Sequence, residues 1–226
     1  MFAAAMGGKR ALAIYVEVPR HLRTRGGAVV DWFRNSEWND EIEAAFEAKL
    51  VRARSKAQYL NIQAYTLLAS DPSVAASLAR RAIGCADASQ TARAGLYLGT
   101  ALAIAGDLDG AIAALEGAIE AERHEPMYRT AAHLDQALLV ALARRDDMYD
   151  LALERLGDER SSNLSDQSLS ALIAQALIGS ERGDNVAGLA AAALDGLGDS
   201  NASSTGLPAF FATADLRCRL KAACNR

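Results

Sequence analysis

Three histidines, His21, His124 and His133, are the first candidates for acid–base or metal chemistry in this 226-residue chain. Glu120 and His124 stand four residues apart, which puts both on one helix face, and His133 with Asp135 follows close behind. A carboxylate-bridged metal site in a helical bundle needs two such Glu/His sets from facing helices. Only one half-set is present, so no metal is expected. The sequence holds no Gly-rich phosphate loop, Gly-x-Ser-x-Gly elbow or His-Glu-x-x-His stretch. Cys218 and Cys224 match no zinc-ligand spacing. Cys85, directly after Gly84, reads as a buried or inert thiol. The acidic pairs Asp146-Asp147 and Glu41/Glu43 read as solvated faces. No catalytic residue is assigned, no cofactor is expected, and the chain reads as a non-enzyme.

Composition says what scaffold must carry any site. Hydrophobic residues make up 51% of the chain, aromatics only 6%, and alanine is about one residue in five. Alanine has the best helix propensity and lets helix axes approach closely, so packed helices are favoured. A β-sandwich would want more β-branched and aromatic residues. The net charge of −4 lacks the strongly basic balance of a nucleic-acid binder. Lys9, Arg10, Arg20, Arg23 and Arg25 nevertheless crowd the first segment, opposed only by Glu17. Three cysteines, an odd count, fit a reducing compartment better than a disulfide framework. No secretory signal is evident at the start. No apolar stretch reaches the about 20 residues that span a bilayer. A cytoplasmic location is expected, with no membrane partner.

The chain divides in two at the sequence level. Residues 1–30 read as an arm: Ala11–Val18 is β-branched and aromatic, a short strand or extended segment, and Gly26-Gly27 breaks the chain. From residue 31 the period is helical through to residue 226. Ser36 is the expected N-cap of a helix over 37–55, with Ile42, Phe46, Leu50 and Val51 forming its apolar stripe. Tyr59–Leu68 follows. Asp71-Pro72 starts a third helix that stops at Gly84. Thr91–Ala105 and 108–122 flank a Gly106-Asp107 turn, and Pro126 closes that unit. Tyr128–Arg145 and Tyr149–Leu156 are a further pair. Ser165 or Asp166 caps Gln167–Arg182, Gly183-Asp184 turns, and Val186–Leu197 follows. Gly198–Leu207 is a polar loop, and Pro208 opens one final helix containing Phe210, Phe211, Leu216 and Leu220.

Two of these helices share a sequence. Asp71-Pro-Ser-Val-Ala75 through Leu78, Ala82 and Ile83 reappears as Asp107-Leu-Asp-Gly-Ala111 through Leu115, Ala118 and Ile119, with Asp, Ala, Ala and Ile at one offset of 36 residues. A period of this size marks a stacked helical array.

Residues 92–125 resemble the tetratricopeptide repeat family through Leu98-Gly99, Leu102, Gly106, Ala111, Leu115, Ala118 and the late Pro126. Residues 56–91 match more loosely through Ile62, Ala75, Leu78 and Ala82. The later pairs keep helix–turn–helix form but lose several small positions. Trp32 to Glu43, followed by Tyr59-Leu60 and Ile62-Gln63, resembles openings of uncharacterised bacterial repeat proteins. The resemblance implies an all-α fold, a right-handed solenoid of antiparallel helix pairs with a C-terminal capping helix. It further implies a protein–protein interaction module whose first helices line a concave groove for a protein or peptide partner. The groove residues are then Leu60, Asn61, Ala64, Arg93, Leu96, Tyr97, Thr100, Tyr128, Arg129 and Gln136. Asn61 and Arg93 could hydrogen-bond a peptide; Tyr97 and Tyr128 could anchor it. Leu96 and one tyrosine could equally belong to the core between repeats. Trp32, Phe33 and Trp38 form an N-terminal hydrophobic cap, or else they or the C-terminal helix supply a homodimer surface. The alternative is a nucleic-acid-associated regulator using the basic N-terminal segment.

Overall fold

The computed structural model describes residues 31–158, 168–198 and 207–225. Among them the chain is all-helical, with eleven α-helices, two 3-10 turns and no strand. The first five are α1 (Asp40–Leu50), α2 (Lys56–Leu67), α3 (Pro72–Gly84), α4 (Ala88–Ile104) and α5 (Leu108–His124). They are followed by α6 (Ala132–Ala143), α7 (Tyr149–Asp158), α8 (Leu169–Arg182), α9 (Ala187–Leu197), α10 (Leu207–Phe211) and α11 (Ala214–Cys224). The 3-10 turns are Pro126–Tyr128 and Asp146–Met148. The expected strand at Ala11–Val18, the basic arm and the Ser165 or Asp166 cap lie outside the described residues.

Side-chain caps set the starts of α1, α3, α4, α5 and α11. The carboxylate of Asp71 accepts from the Val74 N–H at 3.1 Å, and that of Asp107 from the Gly110 N–H at 2.9 Å. Both members of the 36-residue repeat thus begin the same way, by satisfying N–H groups that have no partner within the helix. Their small positions are equally matched, since Ala75, Ala82, Ala111 and Ala118 are all fully buried.

Two boundaries differ from expectation. The first helix is capped by Asn39, whose Oδ1 accepts from the Ile42 N–H at 2.9 Å, not by Ser36. Ser36 follows a turn over 31–34, closed by the Arg34 N–H on the Asp31 carbonyl at 2.8 Å. The third helix ends at Gly84, where it was expected to stop, and the left-handed residue of the turn that follows is Ala86, at φ 53°. The final helix is two helices, because the Thr213 hydroxyl caps α11 by accepting from the Leu216 N–H at 3.2 Å.

Each helix from α2 to α5 packs on its successor, α7 packs on α6, and α9 packs on α8. At α8 the pattern changes: it rests mainly on α6 and hardly touches α7. α4 and α5 approach closely. A β-carbon on Gly99 would meet Leu115 Cγ at 2.6 Å and the Ala111 carbonyl oxygen at 3.2 Å. α11 closes the core against α9 and α8. It is fixed by Arg219, which donates to the Ala141 carbonyl at 3.0 Å and to Glu181 at 2.9 Å. An arginine at the C-terminal end of α6 also complements that helix's dipole.

The N-terminal aromatics turn inward. Trp32 lies 5.4 Å from Phe46 and 4.9 Å from Tyr59 between ring centroids, and Trp38 lies 5.5 Å from Phe46. Gln63, fully buried on α2, holds this segment: its Nε2 donates to the Asn35 carbonyl at 2.7 Å, and its Oε1 accepts from the Asn35 N–H at 2.9 Å. Both halves of the amide are used, as burial requires.

Candidate functional site

The polar and aromatic side chains expected at the groove gather most densely between α2 and α4. Asn61 and Tyr65 stand four residues apart on one face of α2. Opposite them on α4 stand Gln90, Arg93 and Tyr97. Asn61 Nδ2 donates to the Gln90 carbonyl at 3.1 Å and to Gln90 Oε1 at 3.3 Å. The Tyr65 and Tyr97 rings lie 5.3 Å apart, tilted by 40°. Arg93 is exposed, one turn before Tyr97.

Two atoms here lack partners. Asn61 Oδ1 and Tyr65 Oη are both shielded from solvent and accept or donate no hydrogen bond among the described residues. Asn61 as a whole is 1% exposed. A buried polar atom left unmade costs about 1–3 kcal/mol, so such atoms need an explanation. Burial raises the pKa of both tyrosines, with Arg93 opposing the rise at Tyr97. Both hydroxyls therefore stay protonated near neutral pH and can donate. A carbonyl-acceptor and hydroxyl-donor pair four residues apart, beside two stacked rings and an exposed guanidinium, suits a ligand with both amide and apolar character.

The remaining expected groove residues distribute differently. Leu60 and Ala64 are buried in the core of the first helices. Leu96 packs partly buried against the other core cluster, and Thr100 turns its hydroxyl back to the Leu96 carbonyl at 2.9 Å. Tyr128 and Arg129 are exposed, at and just after the 3-10 turn that rests on α4 and α5. Gln136 is buried and committed. Its Nε2 donates to Glu116 Oε2 at 2.8 Å, and its Oε1 accepts from Arg155. Arg155 in turn grips Glu116 with both terminal nitrogens at 2.7 Å, tying α5 to α7. The guanidinium pulls the Glu116 carboxyl well below the usual range, to about 2. Gln136 is thus part of a structural lock.

Tyr65 and Gln90 went unnamed in the sequence reading. Tyr65 was legible from its four-residue spacing to Asn61. Gln90 was not, because its role depends on the α2–α4 contact. Among the described residues no group of three His, Cys, Asp or Glu side chains could hold a metal. Glu120 instead pairs with Arg123 at 2.9 Å and approaches His124 Nε2 at 3.2 Å. Cys85, expected buried or inert, is exposed at the end of α3. No described helix is long and apolar enough to cross a membrane. Comparison with family models, curated proteins and solved structures finds no match to this chain.

Proposed function

We propose that helices α2–α9 form a tetratricopeptide-like right-handed solenoid acting as a protein–protein interaction module in the cytoplasm. A partner's extended peptide segment docks along the α2–α4 face. The 36-residue repeat, with its shared aspartate caps and buried alanines, supports the solenoid. The observation that carries the docking role is the pair of unpartnered buried atoms, Asn61 Oδ1 and Tyr65 Oη. Both atoms are closed to solvent in the free protein, so the side chains between α2 and α4 must part for a peptide N–H to reach the first and a peptide carbonyl to accept from the second. The stacked Tyr65–Tyr97 rings offer an apolar platform at low conformational cost, and Arg93 offers a fork for a carboxylate. Relative to the full groove expected from sequence, this site is smaller and rests on two helices.

The test is site-specific photo-crosslinking in the native host, with a photoreactive residue at Arg93 and a control at the exposed Glu120. The reading requires a discrete adduct from position 93 that is absent from position 120 and lost with Tyr97→Ala. Equal adducts from both positions, or adducts indifferent to Tyr97→Ala, would reject it.

A further inference from the structure

A second surface, separate from the α2–α4 face, opens where α1 and α3 end and α2 begins. A cleft of about 360 Å³ lies there, floored by Leu50 and Leu60, with Val51, Lys56, Arg81 and Glu47 around it. Lys56 is the lining cation that no carboxylate pairs among the described residues, and the stretch that leads from α1 into α2 beside the cleft is cationic. The run from Lys49 to Lys56 holds Lys49, Arg52, Arg54 and Lys56 with no acidic residue, and all four are exposed. Among the described residues none of these four is paired with a carboxylate, whereas Arg81, which lines the cleft from α3, is paired with Glu47 at 2.7 Å. Val51 is 72% exposed and Ile83 36% exposed, so aliphatic surface interrupts the charge. Ser55, at the N-cap of α2, makes no side-chain cap bond, which leaves the first N–H groups of α2 open beside Lys56.

We propose that this cleft docks an acidic segment of another protein that carries an aliphatic side chain. The aliphatic group sits on Leu50 and Leu60 and against Val51. Flanking carboxylates meet Lys56, Arg54 and the start of α2, where the helix dipole also favours negative charge. Nucleic acid fits less well. No aromatic ring lines the cleft to stack a base, and Glu47 would face the phosphates. The proposal does not depend on the α2–α4 face, and each can fail alone.

Fluorescence anisotropy with the full chain tests it. The probe is a fluorescein-labelled peptide alternating Asp or Glu with Leu. Its comparators are the same peptide with Ser in place of Leu, and single-stranded oligodeoxythymidylate. Arg54→Glu with Lys56→Glu should weaken the leucine peptide at least about tenfold. The fold should tolerate both changes, since Glu at the first position of α2 suits the dipole; a circular-dichroism melt checks this. Val51→Ser should weaken the leucine peptide and leave the serine peptide unchanged. The proposal is overturned if the leucine and serine peptides bind alike. It is equally overturned if the oligonucleotide binds more tightly with the same sensitivity to charge reversal, or if no peptide binding saturates. Sedimentation as a dimer that Arg54→Glu with Lys56→Glu dissociates would assign the cleft to a second copy, and would overturn it too.

Discussion

Gly95 of α4 and Ala118 of α5 stand so close that a β-carbon on Gly95 would lie 2.9 Å from that of Ala118 and 3.1 Å from its α-carbon. The obstacle is backbone as well as side chain. At Gly99 the nearest atoms are Cγ and Cδ2 of the fully buried Leu115, with the Ala111 carbonyl oxygen at 3.2 Å. Gly117, on the same hairpin, has nothing within 4 Å of such a β-carbon. Gly95→Ala should therefore destabilise by about 1–3 kcal/mol despite its gain in helix propensity. Gly99→Ala should destabilise as well, and Gly117→Ala should stabilise by about 0.5–1 kcal/mol. Urea denaturation of the three variants orders them, and an equal response from Gly95 and Gly117 would reject the α4–α5 contact.

Ala86 carries the left-handed turn after α3 at φ 53°. A β-carbon in that region costs about 1 kcal/mol, which glycine escapes. Ala86→Gly should raise stability by about 0.5–1 kcal/mol, read as a shift in the urea midpoint at constant slope.

Much of this architecture was legible before any coordinates. Asp71 and Asp107 are short polar side chains ahead of apolar periods, and their capping chemistry is local. Gly99 and Ala111 announced a close helix pair, because only small side chains fit where two helices touch. What failed was decided by contacts between distant segments. Ser36 lost the cap to Asn39 once residues 31–35 were turned and tied to Gln63, 28 residues away. Gln136 read as a groove residue because helical spacing cannot reveal Arg155, which reaches it from α7. The α2–α4 site was half visible: Asn61, Arg93 and Tyr97 follow from spacing, whereas the unpartnered state of Asn61 Oδ1 is a property of packing alone.

The Glu116–Arg155 pair makes stability acid-sensitive. The folded carboxyl sits at about 2 against an ordinary 4.5, so its contribution is fully present above the unfolded value. It is lost as pH falls from about 4.5 toward about 2. Glu116→Gln should flatten the stability profile in that window. Glu116 is 40% exposed, so screening holds the neutral-pH loss to about 1 kcal/mol. Denaturation midpoints across the acid range measure both effects.

Asp135 behaves oppositely. Burial pushes its carboxyl up to about 6, against the Ser170 hydroxyl that donates to it at 3.1 Å. The folded state then holds a proton more tightly than the unfolded chain, and stability falls as pH rises from about 3.8 to about 6. Asp135→Asn should stabilise at pH 7, by about 1–2 kcal/mol after discounting for partial exposure, and by far less at pH 4. A gain of equal size at both pH values would show that the charge is not what Asn relieves.

Asn61 separates a binding role from a packing role. Its amide nitrogen is used by Gln90, but its oxygen is buried with no partner. If the oxygen serves a docked peptide, the free protein carries it at a cost. Asn61→Leu should then leave the melting temperature unchanged or raise it by a few degrees, an effect of about 1 kcal/mol. The same variant should abolish the crosslinked adduct at Arg93. The Gln90 bonds are lost in either case, so the melt serves only to show that the variant is folded. A purely structural asparagine would leave the adduct in place on the folded variant, and crosslinking decides between the two roles.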